Sequence, residues 1–401
     1  MLDQIDDLKD FRDMTALIKL DNMVVISGRS GGEFALRTTC ELKKKLDLTF
    51  EACSGRIKKV YTELRDDVIK VSPVFVKNQN DGEIYAQIRA NIREKDVHVF
   101  QCFNDKNNDF QELLILNDAA NRAGARTITV YIPYIPYQRQ DKKDESRVPL
   151  SAKLVFNQII DSCGSKLKRI VTTDLHARQA MAHFDGPIDE ITAIPSFALY
   201  IKSKLNHDLS EMAVVAPDAG AAKKARFFSK LLGLTSYCTG DKRRPEQGQA
   251  EIVSIIGDVE NKWCYLIDDI IDSGGTLIEI SRTLKERGAK GVYAFSTHGL
   301  FSPSLDKKTG LLITGEQRIK NAVVEEKILE RVVITDSVPP KYQNYYEACS
   351  DWLHVIPLSG FYADVFISNQ LSSSYSDKIE AYLDYIKKPE AEIEILNPCH
   401  P

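Results

Sequence analysis

The sequence has few of the features that mark membrane, secreted and nucleic-acid-binding proteins. Its 401 residues include 53 basic and 57 acidic side chains, so the net charge of −4 gives no basic excess that would favour nucleic acid. No apolar run is long enough for a transmembrane helix. The eight cysteines lack CxxC spacing, which argues against both a zinc site and a disulfide framework.

These absences lead to one expectation about location and partners. The first ten residues are acidic and do not resemble a signal peptide. Scattered cysteines, several of them in apolar runs, are typical of reduced thiols. We therefore expect a cytoplasmic protein without nucleic-acid or membrane partners, and its 43% hydrophobic content is enough for two cores.

What the sequence does contain is an alternation of short β-branched runs with amphipathic segments. Residues 97–100, 127–132 and 169–173 are typical of buried strands, whereas 151–163 and 277–288 repeat apolar residues at three and four. This order predicts an α/β protein with two tandem domains, each a mainly parallel sheet flanked by helices. Functional side chains are expected at the carboxyl ends of the strands.

The most informative stretch runs from Trp263 to Leu277, where an apolar strand leads into a turn rich in glycine and hydroxyl groups. Backbone N–H groups at the start of a helix favour an anion, and glycine lets the main chain approach phosphate oxygens. The carboxylates at the strand end suit the hydroxyls of a sugar whose 5-phosphate lies in the turn. For Gly-Gly alone, a plain tight turn is the alternative. The predicted ribose 5-phosphate site is Asp268, Asp269, Asp272, Ser273, Gly274, Gly275 and Thr276.

A second stretch, 131–147, narrows the interpretation. It follows a strand, is stiffened by Pro133 and Pro136, and carries clustered cations, which from composition alone could form a solvated surface loop. The first stretch resembles the phosphoribosyl pyrophosphate (PRPP) loop of the type I phosphoribosyltransferase fold. The second, with its pattern PxxPYxRQDKKDxSR, resembles the nucleotide-binding signature of the PRPP synthetase (ribose-phosphate pyrophosphokinase) family.

Further segments match that family in chain order. Residues 173–177 resemble its DLHA motif, 216–220 its PDAG motif, and 239–250 its flexible catalytic loop. The resemblance implies catalytic Lys242 and Arg244, and Mg²⁺ near His176 and Asp218, although a histidine at a strand end could equally touch phosphate. It implies ATP-binding residues in three segments: Asp81, Glu83, Arg139, Gln140, Lys142, Lys143, Asp144 and His176.

Two departures from the family pattern affect substrate preference and regulation. Gln79 stands where the family usually has an aromatic residue, so a stacking contribution of roughly 0.5–1.5 kcal/mol is lost or comes from elsewhere. Arg178 and Met181 differ from the residues that the family has near its phosphate and ADP regulatory site. Inhibition by ADP is therefore not assumed, and activation by inorganic phosphate stays open.

The predicted organisation has an extension, two domains, a closing segment and an acidic tail, at 1–20, 21–190, 191–358, 359–376 and 377–401. The first domain contains a charged helical insertion at about 52–70 and the nucleotide-binding loop 137–147. The second contains the catalytic loop 239–250, the ribose-phosphate loop 268–276 and an insertion at about 307–326. The resemblance also implies a homo-oligomer, either a hexamer or another assembly of dimers.

The resulting hypothesis is transfer of the β,γ-diphosphate of ATP to the C1 hydroxyl of ribose 5-phosphate, giving PRPP and AMP. Three alternatives stay open on sequence. A PRPP-consuming phosphoribosyltransferase would explain 263–277 but not the RQDKK segment. A regulatory paralogue would bind without catalysis, and a related enzyme would use a larger acceptor such as ADP-ribose.

Overall fold

The computed structural model describes residues 8–143, 145–205, 207–243, 252–306 and 310–386. The chain divides into two compact units. Unit 1 comprises Met1–Ile191 and Leu358–Lys378, and unit 2 comprises Thr192–Pro357 and Ile379–Pro401. Among the helices in the described ranges, none combines the length and the apolar character that crossing a membrane requires.

Unit 1 is built on a five-stranded parallel sheet. The strands of the unit, in the main sheet and outside it, are β1 Met23–Ser27, β2 Val74–Asn78, β3 Ile84–Ile88, β4 Asp96–Phe100, β5 Thr127–Tyr131, β6 Leu167–Thr173 and β7 Ile188–Ile191. The sheet order is β1-β4-β5-β6-β7, while β2 and β3 form a separate antiparallel hairpin. The helices are α1 Leu8–Asp21, α2 Gly32–Glu51, α3 Gly55–Val68, α4 Lys106–Arg122 and α5 Ser151–Cys163.

Unit 2 is built on a seven-stranded sheet, parallel except at one edge. The strands of the unit, in the main sheet and outside it, are β8 Met212–Ala216, β9 Cys238–Arg243, β10 Ile252–Ile256, β11 Trp263–Ile271, β12 Gly291–Gly299, β13 Ser304–Leu305, β14 Leu312–Ile313, β15 Arg331–Thr335 and β16 Leu353–Ile356. The order is β10-β9-β8-β11-β12-β15-β16, with β10 antiparallel to β9, and β13 pairs with β14 in a hairpin. The helices are α6 Ile194–Tyr200, α7 Ala222–Leu232, α8 Gly275–Glu286, α9 Gly315–Lys320 and α10 Tyr345–Ala348.

Two more helices, α11 Ser359–Leu371 and α12 Tyr375–Ile386, follow in the chain. Helix α11 belongs to unit 1, although it comes after all of the strands of unit 2. Lys45 of α2 pairs with Asp364 of α11, with 2.8 Å between Nζ and Oδ2. The chain therefore returns to its first unit after completing the second sheet.

His98, on strand β4 of unit 1, contacts this returning helix. The Nδ1 atom lies 3.1 Å from the Tyr131 hydroxyl and the Nε2 atom 3.2 Å from Oε1 of Gln370. The Phe366 ring stacks on the imidazole with a centroid separation of 4.1 Å. Burial lowers the pKa of His98 to about 4, against the opposing attraction of the Asp96 carboxylate.

This burial makes the stability of unit 1 dependent on pH. The unfolded chain takes up a proton at His98 near pH 6.5, whereas the folded chain does so only near pH 4. Between these values the unfolded state binds more protons, so the free energy of unfolding falls as pH falls, by roughly 3 kcal/mol from this group. Urea unfolding from pH 7 to pH 4 should show the loss in the wild type. The decrease in the free energy of unfolding should be smaller in His98→Gln, whose side chain cannot take up a proton. Equal decreases in the two proteins would contradict the assignment of this pH dependence to His98.

Candidate active site

The predicted ribose-phosphate loop lies at the carboxyl end of the central strand of unit 2. Strand β11 pairs in parallel with β8 on one side and with β12 on the other. The strand carries Asp268 and Asp269, and α8 begins at Gly275. The structure therefore brings the seven predicted residues 268–276 into one strand-to-helix connection at the edge where ligands of open α/β sheets bind.

The backbone at Gly274 explains why glycine is needed in this loop. Its φ is +80°, in the left-handed region, and it is the N-cap residue of α8. A Cβ atom there would lie 2.9 Å from Cγ1 of Ile319, so a side chain does not fit. Ser273 is half-buried and Thr276 is exposed. The Ser273 hydroxyl lies 3.8 Å from the position of a Cβ atom built on Gly275, the first residue of α8.

The two carboxylates at the end of β11 lie in different environments. Asp268 is half-buried, and its Oδ1 accepts a hydrogen bond of 2.8 Å from the Asp269 backbone N–H. Burial and the neighbouring Asp269 charge raise the pKa of Asp268 well above its usual value. A carboxyl that keeps its proton to higher pH can donate as well as accept hydrogen bonds to sugar hydroxyls.

Lys224 is a residue of this site that the sequence analysis missed. Its Nζ lies 3.2 Å from Oδ1 of Asp269, whose side chain is 9% exposed. Lys224 stands on the first turn of α7, six positions after Asp218. That spacing after the strand-end aspartate is the signal that could have identified it.

Asp218 and the start of the predicted catalytic loop lie close to each other in unit 2. Asp218 is exposed after β8, and its Oδ1 accepts a hydrogen bond of 3.1 Å from the Ala221 N–H. A Cβ atom on Gly240 would lie 2.5 Å from the Pro217 carbonyl oxygen. Strand β9 therefore passes directly beside the turn that carries Asp218.

The predicted catalytic loop is shorter at its start than the sequence suggested. Residues 239–243 pair with 252–256 in the antiparallel β9–β10 ladder, in which Lys242 is opposite Val253. Backbone hydrogen bonds to an apolar run thus extend the strand through residues whose side chains are polar. Arg244 of this loop, and Asp144 of the nucleotide-binding loop, lie outside the described residues.

In unit 1 the structure brings the nucleotide-binding loop and the DLHA segment together. Gln138 is buried, and its Oε1 accepts a hydrogen bond of 2.8 Å from the His176 backbone N–H. Asp174, two residues earlier, has φ +34°, a conformation uncommon for a residue with a Cβ atom and frequent at functional sites. Near this contact the two segments have exposed side chains, which are Arg139, Gln140, Lys142 and Lys143 in the loop and His176 in the DLHA segment.

Asp81 and Glu83 occupy the turn of the β2–β3 hairpin. The Glu83 N–H donates a hydrogen bond of 3.0 Å to Oδ1 of Asp81, and Gln79 donates through its N–H to the Glu83 carbonyl at 2.7 Å. Both acidic side chains are exposed. They are therefore available at the tip of a hairpin, separate in sequence from the other predicted nucleotide-binding residues.

The side chains that could hold a metal ion suit a cation that binds together with a polyphosphate. Within the described ranges, no group of three or more His, Cys, Asp or Glu side chains could hold a metal ion by itself. Mg²⁺ commonly uses one or two carboxylates together with waters and substrate phosphates. The exposed carboxylate of Asp218 fits that pattern, whereas the imidazole of His176 is a less usual ligand for this ion.

Comparison with known proteins identifies the family. Residues 24–164 match the N-terminal domain of ribose phosphate pyrophosphokinase, and residues 242–367 match the phosphoribosyl synthetase-associated domain. A ribose-phosphate pyrophosphokinase of Synechocystis is 39% identical, over 67% of this chain and 75% of that protein. One of Hyphomonas neptunium is 38% identical, over 75% of this chain and 89% of that protein.

A solved structure supports the same assignment and confirms the predicted fold class. The phosphoribosylpyrophosphate synthetase of Mycobacterium smegmatis superposes with a TM-score of 0.67 at 28% identity, covering 87% of this chain and 98% of that one. Both units of this chain are α/β, with a mainly parallel sheet flanked by helices. The chain belongs to the ribose-phosphate pyrophosphokinase family.

Proposed function

We propose that this chain is a ribose-phosphate diphosphokinase that transfers the β,γ-diphosphate of ATP to the C1 hydroxyl of ribose 5-phosphate. The observation that carries the proposal is the connection 268–276, where a half-buried carboxylate, Asp268, and a buried one, Asp269, lead into a glycine turn at a helix N-terminus. The family relatives carry the same activity in their names. The Mycobacterium smegmatis structure is likewise that of a phosphoribosylpyrophosphate synthetase.

The ribose 5-phosphate site is assigned to the loop of unit 2. The amides of Gly274 and Gly275 and the hydroxyls of Ser273 and Thr276 would hold the 5-phosphate. Asp268 and Asp269 would hold the ribose hydroxyls, and Asp272 begins the turn. Because Lys224 already pairs with Asp269, the strand end carries less negative charge toward the phosphate than two free carboxylates would.

The nucleotide site is assigned to unit 1. Arg139, Lys142 and Lys143 would neutralise the triphosphate, and the planar guanidinium of Arg139 can also stack on a base. Gln140, Asp144 and His176 would complete this site, with Asp81 and Glu83 from the hairpin tip. Mg²⁺ bound with the triphosphate would supply charge neutralisation when present, and the candidates to hold it are His176 in unit 1 and Asp218 in unit 2.

The reaction forms one bond and breaks one bond. The C1 oxygen bonds to the β-phosphorus, and the bond from that phosphorus to the α,β-bridging oxygen breaks. AMP leaves with the bridging oxygen, and the proton of the C1 hydroxyl is released to solvent. Catalysis of such a transfer depends on positioning and on neutralising charge. Lys242 and Arg244 would stabilise the charge on the migrating diphosphoryl group.

The three alternatives have less support. A phosphoribosyltransferase does not need the nucleotide-binding signature, and the family match includes residues 24–164, which contain it. No observation on the described residues favours a larger acceptor or a purely regulatory role.

We further propose, on family resemblance, that the protein is a cytoplasmic homo-oligomer. Light scattering of the purified protein would test the assembly, and cell fractionation would test the location.

The products distinguish the proposed reaction from its rivals. With ATP, Mg²⁺ and ribose 5-phosphate, phosphorus NMR should show AMP and a new sugar diphosphate appearing in equal amounts. A reaction mixture without ribose 5-phosphate serves as the control and should form neither. Appearance of ADP instead of AMP, or inactivity with this acceptor, would rule out diphosphoryl transfer to ribose 5-phosphate.

Lys242→Ala should reduce kcat by at least ~100-fold, because loss of one preorganised charge-stabilising donor has an effect of this size. The matched control is Lys290→Ala, which removes a lysine from the amino end of β12, where it pairs with Glu211. A surface ion pair of this kind contributes little, so the control should retain activity. Near-normal turnover in Lys242→Ala would remove this lysine from the mechanism.

Gly274→Ala should weaken ribose 5-phosphate binding and lower stability together. The left-handed φ and the 2.9 Å approach to Ile319 oppose a Cβ atom, and strain of this kind costs about 1–3 kcal/mol. Gly275→Ala is the control for stability, because the nearest atom to its Cβ would be Ser273 Oγ at 3.8 Å. Thermal unfolding should show a lower Tm for Gly274→Ala alone, and equal Tm values for the two variants would contradict this account.

A further inference from the structure

Helix α9 lies directly against the ribose-phosphate loop, although it falls in the segment that the sequence analysis treated as an insertion. A Cβ atom on Gly315 would lie 2.8 Å from the Asp272 carbonyl oxygen. On the next turn, Ile319 is fully buried and closes the space beside Gly274. The helix and the loop are therefore in backbone contact, without a side-chain layer between them.

Arg318, on the same helix, links the loop to the β13–β14 hairpin. One guanidinium nitrogen, Nη1, donates to the Ser273 carbonyl oxygen at 3.4 Å and also to the Ser304 hydroxyl. The other, Nη2, donates to the Ser304 carbonyl oxygen at 2.5 Å. A planar guanidinium has fixed donor directions, so it holds these oxygens in a defined arrangement.

Helix α9 itself is anchored firmly enough to fix the position of Arg318. Thr314 and Gln317 form a reciprocal capping box at its start. Glu316 pairs with Lys341, 2.9 Å away, and accepts a hydrogen bond from the Tyr345 hydroxyl. With Ile319 in the core as well, the guanidinium projects from a helix that is held on several sides.

The geometry of the peptide group gives this contact a consequence for ligand binding. The peptide unit between Ser273 and Gly274 is planar and trans, so its C=O and its N–H point in opposite directions. The carbonyl is turned toward Arg318 and α9. The Gly274 N–H is therefore directed away from α9, to the side on which the 5-phosphate would bind.

We propose that Arg318 is a positioning residue for ribose 5-phosphate: it holds the Ser273 carbonyl and thereby orients the Gly274 N–H toward the 5-phosphate. This inference rests on the proposed function and adds a residue to its sugar-phosphate site. Because Arg318 acts through the peptide group, its removal should affect the phosphorylated sugar and leave the nucleotide unaffected. A hydrogen bond to a charged group contributes about 1.5–3 kcal/mol, which corresponds to roughly tenfold or more in affinity.

The test compares Arg318→Gln and Arg318→Lys with the wild type. We expect the KM for ribose 5-phosphate to rise about tenfold in Arg318→Gln, while the KM for ATP changes less than twofold. Arg318→Lys keeps the positive charge but loses the forked donor geometry of the guanidinium. Its KM for ribose 5-phosphate should therefore lie between those of the wild type and Arg318→Gln. The matched control is Lys320→Gln, which removes an exposed cation of the same helix that pairs with Asp351. It should leave both KM values unchanged.

A competition experiment separates positioning from a general structural role. Ribose, which lacks the 5-phosphate, should inhibit the wild type and Arg318→Gln with the same inhibition constant. Equal KM values for ribose 5-phosphate in both proteins, or a parallel rise for ATP and ribose, would overturn the proposal. If Arg318→Gln fails to fold, the same criteria apply to Arg318→Lys. An inactive wild-type protein would instead contradict the proposed function itself.

Discussion

The ion pair between Lys224 and Asp269 is the interaction on which the geometry of the proposed sugar site depends. Asp269 is buried at the end of the central strand, and a buried carboxylate without a partner costs several kcal/mol. Lys224 supplies that partner from the first turn of α7, just after the turn that carries Asp218. One contact therefore links the carboxyl end of β11, where we propose that the sugar binds, to the helix that follows the turn of Asp218.

The same contact influences how the second carboxyl can act. With Asp269 paired to a lysine, Asp268 still lies in a half-buried environment beside another acid, and its pKa is raised. Asp268 therefore keeps its proton to higher pH than an ordinary carboxyl. Such a carboxyl suits sugar hydroxyls, each of which can donate and accept a hydrogen bond.

The local features of this site could be predicted from the sequence because they depend on neighbouring residues. An apolar run that ends in Asp268 and a Gly-Gly turn that opens a helix carry their own physical signals. Lys224 is 45 positions from Asp269, and the pairing exists only because β8 and β11 are adjacent in the sheet. A single sequence does not contain that adjacency, so the lysine was missed.

Long-range contacts explain the other differences between prediction and structure. The polar residues 239–243 were assigned to a loop from the sequence. In the structure they form strand β9, because their backbone pairs with the apolar strand β10 at 252–256. The segment around α9 was assigned to an insertion, yet Ile319 belongs to the core and Arg318 contacts the phosphate loop. One of the two hydrogen-bond partners of His98 is likewise distant in the chain: Gln370 follows the complete second sheet. Composition and periodicity describe a segment but not what it packs against.

A comparison of two strand-to-helix turns shows why one of them is available for a ligand. In unit 1 the turn after β1 is closed by Glu112, which accepts hydrogen bonds from the Arg29 N–H at 2.6 Å and from its Nε at 2.7 Å. A carboxylate of the protein therefore accepts the hydrogen bond of a backbone N–H in the turn between β1 and α2. In unit 2 the corresponding turn follows Asp272. Arg318, on α9, donates a hydrogen bond to the Ser273 carbonyl oxygen of this turn. In the proposed site, that arrangement turns the Gly274 amide toward the phosphate of the substrate.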